Sequence, residues 1–175
     1  MKSIIVVDKN KEFKIILQKV LNILGVTHVL VQNGDVNKSE LYNYLVLNGL
    51  ENDDILKNIS QMHFDYILMN MDNDTHNSLN MYGNIITYGF GNKNTITISS
   101  VEKDSGNFVY CLQRYIQNNK CNLEPQEVPI TIPFTNNNEL YAYIVAITIA
   151  MVEGKDMCNI KGYLNLQKEY KNLFK

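Results

Sequence analysis

The feature that most constrains this chain is a continuous β-branched run, Ile4-Ile5-Val6-Val7, followed closely by an amphipathic helical segment that ends in glycine. A strand without polar alternation must be covered on both faces, which is the condition of a strand inside a parallel sheet. From Phe13 to Leu24 apolar residues recur at helical spacing, and Gly25 is placed to cap the end. Strand, loop and helix in this order are the building unit of an α/β fold.

The pattern continues. His28-Val29-Leu30-Val31 reads as a second strand, and Ser39 as the N-cap of a helix from Glu40 to Leu47. Helical turns are expected between Ile55 and Met62. Tyr66-Ile67-Leu68-Met69 reads as a third buried strand, flanked by Asp65 and by a polar loop from Asn70 to Asn77. From Asn84 the helices drop out. The segments Ile85 to Tyr88, Thr95 to Ser99, Phe108 to Tyr115 and Val128 to Ile132 are strand-like and separated by Gly, Asn and Pro turns, so this half should add antiparallel strands. A long helix is expected from Glu139 to Glu153, closed by Gly154. The predicted architecture is a three-layer, Rossmann-like or P-loop-like parallel sheet with antiparallel strands added in the second half. One domain should span residues 1–160, with an amphipathic tail helix over 161–175.

Composition narrows the function. A chain of 175 residues with 45% hydrophobic content can bury a sizeable core. Its net charge is −2, and its basic residues are lysines except for one arginine, Arg114, which argues against nucleic acid as a partner. The start of the chain has no apolar segment of signal-peptide length, and Leu140 to Val152 is too short to span a bilayer of ~20 residues, so a cytoplasmic protein without membrane attachment is expected. Cys111, Cys121 and Cys158 are odd in number and lack Cys-x-x-Cys spacing, which points to neither a disulfide framework nor a zinc knuckle. In the tail, Tyr163, Leu166, Tyr170 and Leu173 stand at near-heptad spacing opposite Lys161, Lys168, Lys171 and Lys175. That face suits folding back on the sheet, or else a protein partner or a second copy of the chain.

Three stretches resemble the central ATPase domain of Mur ligases, the ATP-dependent amide-forming enzymes of peptidoglycan synthesis. The first is Ile4 to Val7 with Val7-Asp8-Lys9-Asn10-Lys11-Glu12 and the helix to Gly25, similar to the family's strand, phosphate loop and helix. The second is Asp65-Tyr66-Ile67-Leu68-Met69-Asn70 followed by Asp74-Thr75-His76. The third is Ile86-Thr87-Tyr88-Gly89-Phe90-Gly91 running into Thr95 to Ser100, and Pro129 to Gly154 is similar to the family's last central-domain helix. The opening strand and Asp65 to Asn70 also resemble a response-regulator receiver domain, in which Asp8 would stand for the acidic pair and Asn70 for the phosphoacceptor. Such a domain would have five parallel strands and no antiparallel addition.

The departures from the Mur pattern bear on chemistry. A phosphate loop needs glycines whose N–H groups close on phosphate, a lysine to neutralise it and a hydroxyl for magnesium. Val7 and Asn10 stand at the glycine positions and Glu12 at the hydroxyl position, leaving Lys11 as a vestigial phosphate contact. Asp8 and Glu12 are expected to face and repel a nucleotide, or to pair with Lys11. The resemblance therefore implies a non-catalytic relative of the ligase core, acting as a binding or regulatory module linked to cell-wall metabolism. No cofactor is expected, with Mg-ATP the ligand to test. An alternative is a metal- or nucleotide-binding enzyme that uses Asp72, Asp74 and His76, with Asn70 as a further contact at the same strand end.

Overall fold

In the computed structural model, residues 1–31, 36, 40–49, 57–73, 81–117 and 122–164 are described. The chain opens with β1 (Lys2–Val7), α1 (Lys11–Ile23), β2 (His28–Val31), β3 (Tyr42–Leu47) and β4 (His63–Asn70). It continues with β5 (Tyr82–Gly89), β6 (Ile96–Glu102), β7 (Asn107–Leu112), β8 (Ile116–Gln117), β9 (Asn122–Leu123), β10 (Gln126–Thr131) and α2 (Asn137–Val152). Eight strands form one sheet in the order β10-β7-β6-β5-β4-β3-β1-β2, while β8 and β9 make a separate small hairpin. From β2 through β6 neighbouring strands run parallel; β7 and β10 are antiparallel additions. The α/β architecture expected from the sequence is the one observed.

Two assignments change. The segment from Glu40 to Leu47 is not a helix: residues 42–47 form β3, between β1 and β4 at the centre of the sheet. A short apolar run looks alike as buried strand or helix in its periodicity, and the tyrosines and Val46 favour the strand once both edges are paired. Ser39, expected as the N-cap, lies outside the described residues. The second change concerns β5 and β6, which are parallel although no helix joins them. They share only the pairs Tyr88↔Ile96 and Gly89↔Thr97, so β6 starts where β5 stops and runs on past it. Strands offset end to end need no crossover, and a short loop suffices. Six parallel strands with antiparallel additions also contradict the receiver alternative.

Both faces of the sheet are packed. On one lie α1, α2 and the helical residues 157–164, gathered around Phe13, Leu17, Tyr44, Leu68, Tyr110 and Ile144. On the other, Ile59 and Met62 cover Ile5, Val7, Leu45, Leu47 and Ile67. α2 is buried on every side from Leu140 to Val152, as befits a helix with no polar face. Its ends are marked by local chemistry. Asn136 accepts the Glu139 N–H as N-cap, and Gly154 takes φ +86 after the last turn.

α2 runs antiparallel to the strands from β1 to β6. Near its start the Tyr141 hydroxyl reaches the loop after β4, and at its far end Glu153 meets Tyr44 (2.5 Å) and Lys2 (3.3 Å). The helix expected over 161–175 is already helical from residue 157, with Ile160 and Leu164 in the core; residues 165–175 lie outside the described part. Among the described residues no helix is long and apolar enough to cross a membrane.

Candidate functional site

The sheet order reverses direction beside β1: the chain goes from β1 outward to β2, then returns to place β3 on the other side. In open α/β sheets the crevice at the carboxyl ends of the strands at such a switch point is the usual place for a ligand. Here that crevice is lined by the residues that follow β1, β3 and β4. Only Asp8, Lys9 and Asn10 separate β1 from α1.

The side chains at this edge bond to one another. Asp8, nearly buried, accepts the Asn10 backbone N–H on Oδ1 (2.9 Å) and the Asn48 amide on Oδ2 (2.6 Å). The Asn48 Oδ1 accepts from the Asn70 amide (3.0 Å) and from the Tyr88 hydroxyl (2.9 Å). Asn70 accepts the Asp72 N–H on Oδ1 (3.0 Å), and Asn73 donates to the Asn48 carbonyl. Asp72 Oδ2 then accepts the Phe90 N–H (2.8 Å) and the Tyr141 hydroxyl (2.7 Å). One connected network thus joins the ends of β1, β3, β4 and β5 to α2.

The local backbone is shaped to this network. Gly49 packs so close to Asp8 that a Cβ there would lie 3.0 Å from Oδ1. Gly89 holds φ +147, and a Cβ on it would fall 2.6 Å from Asp72 Oδ1, which gives the glycine of the Thr-Tyr-Gly segment a physical reason. Burial, with Asp8, Tyr141 and Asp72 adding to it, raises the Tyr88 hydroxyl well above the ordinary tyrosine range. Tyr141 is raised by burial and then by its bond to Asp72. Both hydroxyls therefore stay protonated and act as donors.

The residues expected to carry chemistry are distributed differently from the sequence-based picture. Asp8 does not face outward to repel a nucleotide; it is turned inward onto Asn48. Lys11 is the exposed first residue of α1, Glu12 beside it is exposed, and neither Asp8 nor Glu12 forms an ion pair with Lys11. Asn70 is fully buried with both ends of its amide engaged. Asp74 and His76 lie outside the described residues, and among those described no group of three or more metal-ligating side chains is assembled.

Asn48, Tyr88 and Tyr141 carry the network and were not expected to. Asn48-Gly49 follows a buried strand just as Asp8 follows β1, a signal that a helical reading of residues 40–47 hides. On the receiver criterion, too, the third strand in chain order is β3, which is followed by Asn48 and not by Asn70.

No protein-family model and no curated protein sequence matches the chain. Among solved structures, the fold is that of Mur ligases. The UDP-N-acetylmuramoylalanyl-D-glutamyl-2,6-diaminopimelate–D-alanyl-D-alanyl ligase from Acinetobacter baumannii matches with a TM-score of 0.61 at 10% identity, over 94% of this chain and 45% of that one. A second structure, MurF of the same organism, gives 0.61 at 11% identity over the same shares, 94% and 45%. The murein peptide ligase Mpl from Psychrobacter arcticus gives 0.65 at 11% identity, over 93% and 45%. The chain spans about half the length of these ligases, so the likeness concerns the fold of one part of them.

Proposed function

We propose that the chain is a non-catalytic Mur-ligase-like protein that acts by binding in cell-wall metabolism, its partner being a protein or a second copy of itself. One observation carries this reading: two of the backbone groups that would cradle a phosphate are already bonded to the chain itself. The Asn10 N–H is held by Asp8 and the Glu12 N–H by the Asn10 side chain, both at 2.9 Å. A phosphate loop works through free backbone N–H groups at a helix start, and two of those at the start of α1 are taken.

The connection adds to this. Three residues between β1 and α1 leave little chain to wrap a triphosphate, and the carboxylate of Asp8 is tied to Asn48 at the end of β3. Steady-state ATP hydrolysis by the purified protein tests the reading, with no turnover above background expected. Turnover that Lys11→Ala abolishes would overturn it.

A further inference from the structure

We propose that the cleft between the β5–β6 loop and the end of β7 binds a small-molecule oxyanion, a carboxylate or phosphate group, through Arg114, Lys93 and the Asn94 amide. The cleft holds about 340 Å3 and is lined by Asp72, Thr87, Lys93, Asn94 and Arg114 among others. This volume lies in the range of small-ligand pockets. It is separate from the start of α1, and the inference does not rest on the loss of nucleotide binding there.

The first argument is an orphaned group. Asn94 is 4% exposed, and its side-chain amide has no hydrogen-bond partner among the described residues, although its backbone N–H bonds to Gly91 (3.2 Å). Leaving a buried amide unpaired costs about 1–3 kcal/mol, and such a group in a folded protein ordinarily faces a ligand or an ordered water. Its neighbours are held firmly: Thr95 N–H bonds to Thr87 Oγ1 (2.9 Å) and Gln113 N–H to the Thr95 carbonyl (2.8 Å).

The second argument is charge. Arg114, the only arginine of the chain, donates through Nη2 to the Lys93 carbonyl (2.8 Å), which holds the guanidinium over the cleft and leaves its other donors unengaged by the described residues. The Lys93 ammonium has no carboxylate partner among the described residues. Asp72, also in the lining, accepts the Phe90 N–H and the Tyr141 hydroxyl on Oδ2. The lining thus carries two cations against one carboxylate, beside an unpaired amide, which favours an anion over a cation or a neutral ligand. A planar guanidinium suits the two oxygens of a carboxylate or phosphate.

The test is amide and side-chain NMR of the 15N-labelled protein titrated with inorganic phosphate and, separately, with succinate. Saturable shifts are expected at the Asn94 side-chain NH2 and the Arg114 Nε–H, with a dissociation constant on the order of millimolar for at least one anion. Arg114→Gln should weaken binding by about tenfold or more and Lys93→Gln by severalfold, while Lys11→Ala leaves it unchanged. Saturation by phosphate alone or by succinate alone identifies the source and supports the site. Absence of saturable shifts at these resonances, or equal binding by Arg114→Gln with a native spectrum, overturns it and leaves only water in the cleft. Shifts confined to residues 8–12 do the same.

Discussion

Replacing Asn48 by alanine removes the node of the polar network, and the structure says what that should cost. Asn48 is 2% exposed, and its side chain serves three partners: Asp8 Oδ2, the Asn70 amide and the Tyr88 hydroxyl. Each partner is itself buried, and each would lose a hydrogen bond in a place water reaches poorly. An orphaned buried polar group costs about 1–3 kcal/mol, with a carboxylate at the upper end. Three of them, partly relieved by water entering the gap, should lower stability by roughly 4 kcal/mol. That is a large part of the ~5–15 kcal/mol typical of a domain.

Tyr88→Phe removes one donor while Asn48 keeps Asn70, so about 1 kcal/mol is expected. The double variant should then cost less than the sum by about 1 kcal/mol, because no tyrosine hydroxyl is left to orphan. Urea unfolding followed by circular dichroism measures all three. If Asn48→Ala stays within ~1 kcal/mol of the parent at an unchanged slope, or the pair is additive, the network does not hold the crevice together as argued.

Two glycines should respond with opposite sign. Gly89→Ala forces a Cβ against Asp72 at φ +147 and should cost about 2 kcal/mol or more, whereas Gly162→Ala, helical with open space around it, should gain ~0.5–1 kcal/mol; urea midpoints decide both. Asn10→Ala removes the N-cap of α1 and should lose about 1 kcal/mol in the same assay. The buried tyrosines predict an alkaline limit. Burial raises Tyr88 and Tyr110, and burial with Glu139 pushes Tyr143 up to about 12, so their stabilisation is complete below the unfolded value of ~10 and is lost as pH rises above it. Stability should fall by roughly 3 kcal/mol per pH unit above 10 from Tyr88 and Tyr110 alone, and the tyrosinate absorbance of the buried tyrosines should appear only together with unfolding. Full tyrosinate absorbance near pH 10, that of the buried tyrosines included, in a still-folded protein would refute this.

Much of the fold was legible because its physics is local. Ile4 to Val7 is apolar throughout and becomes an inner parallel strand, and the periodic stretch before Gly25 becomes α1 with that glycine at φ +64. Asn136 and Gly154 mark the ends of α2 for similarly local reasons. What was misread depends on neighbours distant in sequence. Tyr42 to Leu47 is a strand because β1 and β4 offer it two edges, and β6 is parallel to β5 because the two are staggered.

The site was only half legible for the same reason. Asp8, Lys11 and Asn70 stand out by position along the chain, but the side-chain direction of Asp8 is set by Asn48, forty residues away in sequence. Nor does spacing reveal that Asp72 is bound by Tyr141 of α2, or that Arg114 lies against Lys93.

Thermal melting with and without millimolar Mg-ATP shows whether the start of α1 holds a nucleotide. A ligand at 100 times its Kd adds about 2.7 kcal/mol and moves the midpoint visibly. No shift that depends on Lys11 is expected, so the parent protein and Lys11→Ala should respond alike, and any weak response should vanish with Arg114→Gln. A clear upward shift that Lys11→Ala removes and Arg114→Gln leaves in place would contradict this.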